Sequence, residues 1–225
     1  EQIGYKLLTG GRFERLKNWI ESIPNFALKT HPMLCYWYVP TLLYKDELDK
    51  AEKYLQIIET AEPEELRRSL IAEVWTSRSL VEIVCGNVDK AEEFSQKAFD
   101  SLLPDNDKQR AAAFHTKVCC ARLKGDMKIT EQVVIEALPF YQRAEHFLFE
   151  TWGKTYLAFS RAMQGHLGEG AIALQNVIQY AQEHIPNRPE PFIYPHSALC
   201  DINYEWNNIE VAKTHLDEAL THIQQ

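Results

Sequence analysis

Basic residues are in the minority: 24 Lys and Arg stand against 32 Asp and Glu among 225 residues, a formal charge of −8. Neutralising a phosphate backbone needs clustered cations, so this balance argues against a nucleic-acid-binding surface. No apolar run approaches the ~20 residues that a membrane helix needs, and no charged-then-apolar leader opens the chain. Glycine (9) and proline (10) are too few for collagen, a flexible linker or a many-turned sandwich. The five cysteines, Cys35, Cys85, Cys119, Cys120 and Cys200, are odd in number and form no C-x-x-C. They read as reduced, mostly buried thiols of a cytoplasmic protein. No N-x-[ST] acceptor occurs. The apolar fraction of 45% still supports a folded core. Glu1 stands where a Met would begin a complete product, so the chain reads as a piece of a longer protein.

What is present is a repeat. Six short hinges align: Gly11-Arg12-Phe13, Asp46-Glu47-Leu48, Gly86-Asn87-Val88, Gly125-Asp126-Met127, Gly165-His166-Leu167 and Asn207-Asn208-Ile209. They recur at spacings of 35, 40, 39, 40 and 42 residues. Gly, Asp and Asn end helices in a left-handed conformation. Two residues past each hinge lies an apolar side chain. Five past it lie Leu16, Ala51, Ala91, Thr130, Gly170 and Ala212, five of the six small. Nine past it come Ile20, Leu55, Ser95, Val134, Leu174 and Leu216; twelve past it, Ile23, Ile58, Ala98, Ala137, Val177 and Ala219. Seven before it stand Val39, Ser79, Val118, Ala158 and Cys200. Two amphipathic helices around each hinge follow, with small residues where their backbones come close.

Proline punctuation agrees. Pro32, Pro63, Pro104, Pro186, Pro189, Pro191 and Pro195 fall between units, near helix starts or stops. Pro40 falls inside a helix and predicts a kink near Tyr36. No alternation of Val, Ile and Thr lasts long enough for a sheet. The chain therefore reads as all-α, one domain over residues 1–225, a solenoid of about six stacked helical hairpins with a concave inner surface. Neither end carries a polar cap, so both look cut from a longer array.

The small residues at these offsets resemble the tetratricopeptide repeat. Gly86-Asn87-Val88-Asp89-Lys90-Ala91-Glu92 and Asp46-Glu47-Leu48-Asp49-Lys50-Ala51-Glu52 are close to that family's inter-helix turn. The period of about 40 exceeds the usual 34. The longer unit looks like the superhelical sensor region of large ATP-binding LuxR-type, maltose-activator-like transcriptional regulators. Leu7-Leu8-Thr9-Gly10-Gly11-Arg12-Phe13-Glu14-Arg15-Leu16-Lys17-Asn18-Trp19-Ile20-Glu21-Ser22-Ile23-Pro24, followed by His31-Pro32-Met33-Leu34, is similar to the opening of that family's array. The resemblance implies a right-handed superhelix that binds an inducer and controls self-association. It places ATP in an upstream module and DNA on a downstream one, so neither is assigned to a residue here, and this chain needs no cofactor.

Chemistry-bearing motifs are weak. Trp152-Gly153-Lys154-Thr155 looks like the end of a phosphate loop, but Leu148 stands where that loop needs its first glycine. His215, Glu218 and His222 share a helix face, yet a metal would need a further ligand and a supporting shell. Cys119 and Cys120 point about 100° apart on a helix, as packing residues do. No nucleophile, base and orienting group stand at credible spacing, so the chain reads as non-catalytic.

In tetratricopeptide arrays the inner surface takes positions about 13, 10, 6, 3 and 2 before the hinge. Applied here, these offsets give a mixed lining. Tyr36, Tyr44, Trp152, Tyr194 and Tyr204 offer aromatic faces, while Glu73, His115, Arg122, Asp201 and Glu205 offer polar handles. Arg122 is the lone cation, so an acidic peptide tail fits poorly. A small polar ligand, such as a sugar stacked on Trp152, fits better. The alternative function is a scaffold that binds a protein or peptide partner.

Overall fold

The computed structural model describes residues 2–10, 12–45, 47–62, 64–103 and 105–223, without the side chains of Gln2, Asn25, Tyr44, Leu66 and Arg67. The hinge residues Gly11 and Asp46 and the boundary prolines Pro63 and Pro104 thus lie outside the described residues. Within those described, the secondary structure is helical throughout and contains no strand. The chain divides into two compact units, Glu1–Lys124 and Gly125–Gln225.

The first unit holds α1 (Gln2–Thr9), α2 (Phe13–Glu21), α3 (Asn25–Thr30), α4 (Pro32–Tyr44), α5 (Leu48–Glu59), α6 (Glu64–Ser69), α7 (Ile71–Val84), α8 (Val88–Asp100) and α9 (Asp107–Leu123). The second holds α10 (Met127–Arg143), α11 (Phe147–Met163), α12 (Leu167–His184), α13 (Glu190–Glu205) and α14 (Ile209–Ile223). Within each unit helices pack on their neighbours in sequence: α4 on α5 and α7, α7 on α8 and α9, α11 on α12 and α13, α13 on α14. Such nearest-neighbour packing is the signature of a helical repeat.

The hinges behave as their residue types require. Gly86, Gly125, Gly165 and Asn207 all have positive φ, from 60° to 100°. At Gly165 the cap is a Schellman motif: its N–H donates to the Ala162 carbonyl at 3.0 Å, and the His166 N–H to Arg161 at 3.1 Å. The same pair of bonds recurs at Gly86 and Asn207. It also recurs at Glu145, between α10 and α11, where a glutamate holds φ at 52°. Asp126 caps α10 by accepting from the Ile129 N–H at 3.0 Å, and Asn106 caps α9 through Gln109.

The core follows the hinge offsets. All six residues five past the hinge are buried. Gly170 shows why five of them are small: a Cβ there would stand 2.7 Å from Ala162 Cβ and 3.0 Å from the Ala158 carbonyl. Around that approach Ala158, Ala162, Leu174, Leu199 and Ile202 close the core of the second unit. In the first unit Leu16, Ile20, Leu42, Leu55 and Ile58 do the same. Leu216 and Ile209 depart from the pattern, being half-exposed on α14.

One proline expectation needs correction. Pro195 lies inside α13 instead of between units, and Pro139, given no role by the boundary reading, lies inside α10. The carbonyl that Pro139 leaves without an amide belongs to Ile135, a half-exposed residue, so α10 can run on. Pro40 is inside α4, as its position predicts.

Candidate functional site

In the first unit, Glu73 comes in from α7 to a buried position. Its Oε1 accepts from Gln109 Nε2 of α9 at 2.8 Å, and Gln109 Oε1 accepts from the Leu103 N–H at 3.1 Å. Glu73 Oε2 and, one turn on, Ser77 Oγ are buried without a hydrogen-bond partner among the described residues. Burial pushes the Glu73 carboxyl above its ordinary range, against the Gln109 hydrogen bond, which favours the charge. Tyr36 of α4 is half-buried; burial raises its phenol, and the charges of Glu73 and Tyr5 add to that. The Lys108 ammonium sits over the Tyr5 ring, 4.1 Å from its centre. His115 is buried on α9, its imidazole pushed down to about 3, by burial first and then by the Arg122 cation. It is neutral at ordinary pH, with Cys119 Sγ 3.7 Å from its Nε2. The side chain of Tyr44 lies outside the described residues.

In the second unit, α11 and α13 bring aromatic rings together. Trp152 meets Tyr194 edge-on at 6.4 Å between ring centres, and Tyr156 meets the same Tyr194 at 6.0 Å. Phe149 joins Trp152 at 6.2 Å and is stacked under His146 at 3.5 Å. Tyr194 is 43% exposed, so this corner has both a packed side and an open one. Next to it, Glu150 is a buried carboxylate bonded by Lys154 at 2.7 Å, Tyr180 Oη at 2.7 Å and Gln142 at 3.2 Å. Burial works against its charge, but these three bonds outweigh it and hold the carboxyl below its ordinary range. Asp201 and Tyr204 lie exposed on α13. The Asp201 carboxyl sits above the usual range through partial desolvation and then the neighbouring Glu205.

Of the sequence-predicted lining, the fold thus joins Tyr36 with Glu73, His115 with Arg122, and Trp152 with Tyr194. Asp201 and Tyr204 stand apart from the aromatic corner, in solvent. Gln109, Tyr5, Lys108, Phe149 and Tyr156 escaped the sequence reading. Tyr156 carried a signal, standing one helical turn beyond Trp152.

The tempting motifs resolve structurally. Gly153 faces Tyr141, 3.1 Å from where a Cβ would stand, and the Lys154 ammonium lies 3.5 Å from the centre of the Tyr180 ring. Burial pushes the Cys119 thiol up to about 12 and Cys120 to about 11, as befits packed thiols. Among the described residues, no three His, Cys, Asp or Glu side chains gather as a metal needs, and no helix is long and apolar enough to cross a membrane.

Comparison with known proteins agrees with this architecture. The crystal structure of BtubC (BKLC) from P. vanneervenii is similar over 97% of this chain and 90% of its own, with a TM-score of 0.60 and 12% identity, which speaks for the fold alone. No curated protein matches in sequence. The model of the MalT-like TPR region matches residues 72–225, which include α8 to α14 and the whole aromatic corner. The matched part holds helical pairs, left-handed hinges and small buried residues at fixed offsets, and the chain belongs to the MalT-like TPR region family.

Proposed function

We propose that this chain is the effector-sensing region of a MalT-type, LuxR-class transcriptional activator of the cytoplasm. In this reading the helical pairs, six in the whole chain, are of the right-handed superhelical class of repeat. It binds a small polar effector on its inner face, couples occupancy to self-association, and leaves ATP and DNA to other modules. A helical-repeat region of this family is typically a non-catalytic sensor or scaffold.

One observation carries the ligand reading: Trp152, Tyr156 and Tyr194 converge from two helices and leave Tyr194 open to solvent. Aromatic faces beside a few fixed polar groups suit a small polar molecule.

The test is the melting temperature across oligosaccharides, nucleotides and amino acids, for the native chain and for Trp152→Ala. A ligand at a hundred times its dissociation constant stabilises by roughly 2.7 kcal/mol, a rise of about 5 °C or more for a chain of this size. One compound class should raise it in the native chain and fail with Trp152→Ala.

The scaffold alternative rests on a different observation. Ile209, Leu216, Leu220 and Ile223 leave an apolar face exposed on α14, suited to a protein partner. A flat panel together with stoichiometric capture of a partner that Leu216→Glu abolishes would favour it.

A further inference from the structure

His196 stands two residues beyond Tyr194 on α13, about 200° around the helix. The element that brings Tyr194 to α11 therefore brings His196 to α14. There His196 Nδ1 lies 3.1 Å from His215 Nδ1, with the ring centres 5.3 Å apart. Two imidazole nitrogens at this distance are joined by one proton. One ring donates from Nδ1–H, and the other accepts with its Nδ1 lone pair and keeps its own proton on Nε2. His222, two turns beyond His215 on α14, has its ring 6.0 Å from His196 and stacked on Phe192 at 5.0 Å.

Protonation affects this pair unequally. A first added proton goes to the free Nε2 of the donor ring and leaves the N–H···N bond intact, now charge-assisted. A second must occupy the accepting Nδ1, which destroys the bond and sets two cations face to face. Beside them, a protonated His222 is a third cation. The groups that bear on His196 are His215, Glu218 and His222, and Glu218 also bears on His215; all lie on α14, and Glu218 alone favours the charged rings. Among the described residues no charged group of α11 or α12, the other helices packed on α13, bears on the pair.

We infer that His196 and His215 form a proton-operated latch, which ties α14 to α13 at neutral pH and releases it in mild acid, loosening the helix that holds Tyr194 against Trp152. The sign follows from the titration. Burial, first in both cases, lowers both imidazoles below 6.5 in the folded chain. The unfolded chain therefore takes up protons first, and the stability of the pair is complete above 6.5 and lost as the pH falls below it.

The experiment is hydrogen exchange of α14 amides at pH about 7.5 and about 5.5, corrected for intrinsic rates and referred to α10 in the same chain. In the native chain, protection of α14 relative to α10 should fall about tenfold in acid, and this fall should vanish in His196→Gln and His215→Gln. An unchanged ratio in the native chain, or a fall that persists in both variants, overturns the latch. Imidazole nitrogen resonances of the native chain give a check that needs no variant. One ring of the pair should carry its proton on Nδ1, and two rings both protonated on Nε2 and titrating at the ordinary 6.5 would equally overturn it.

Discussion

The two units divide their repeats differently. In the first, part of two repeats forms separate short helices, α3 and α6, of six residues each. In the second the residues go into the paired helices themselves, which run to between 15 and 18 residues. Proline accounts for much of the difference at α3. Pro24 caps that helix and Pro32 opens the next, and the residue before a proline is pushed away from the helical region, so the two cannot fuse. In the second unit Pro139 and Pro195 sit within continuous helices. A repeat period therefore says how many residues a unit spends, while local proline placement decides whether they extend a helix or make a new one.

The sharpest way to break this comparison uses one repeat position within the regular unit. Leu174 is fully buried and Leu216, at the same offset from its hinge, is 46% exposed. Leu174→Ala should cost ~2–5 kcal/mol in denaturant unfolding, and Leu216→Ala within ~0.5 kcal/mol. Equal losses would mean that a neighbour covers α14 in solution.

Next come two glycines that are small for different reasons. Gly170→Ala should cost ~1–3 kcal/mol, because its Cβ would collide with Ala162. Gly165→Ala has open space but φ of +100°, so its cost of ~1–2 kcal/mol is backbone strain. Removing the Ala162 Cβ with Ala162→Gly should recover part of the Gly170→Ala loss, the Ala158 carbonyl contact remaining, and none of the Gly165→Ala loss.

A smaller effect, of opposite sign, is expected in the first unit. Glu73 has a raised carboxyl and a buried oxygen without a partner, so the folded chain holds its proton more tightly than the unfolded one. Stability is then lost as the pH rises from 4.5 through the folded value. Glu73→Gln should remove that loss and gain on the order of 1 kcal/mol at neutral pH. A fall in melting temperature would show that the carboxylate is needed for the fold. The smallest effect belongs to the exposed Glu64–Arg68 pair on α6, where Arg68→Ala should change stability by ~0.5 kcal/mol or less.

Much of this was legible in the sequence because the signals are steric. Gly and Asn tolerate positive φ, so Gly86, Gly125, Gly165 and Asn207 announce their hinges. Close backbone approach demands small residues, so the buried positions five past the hinge could be read off in order. Glu145 adopts the same cap as Gly165 but carries no mark of it, since glutamate has no preference for a left-handed turn. The site was legible where it depends on repeat offset: Trp152 and Tyr194 stand at one offset in successive pairs and meet. It was not legible where it depends on how far a helix extends. Gln109 reaches Glu73 from the first turn of α9, ahead of the offsets that line a groove. The His196–His215 bond needs the crossing of α13 and α14, which no spacing along one helix reveals.

The most direct measurement is hydrogen exchange of the native chain across a panel of small metabolites, read helix by helix. Effector sensing on the inner face requires that one compound class slow exchange in α11 and α13 while α2 and α5 keep their rates. Identical profiles for every compound in the panel would contradict it.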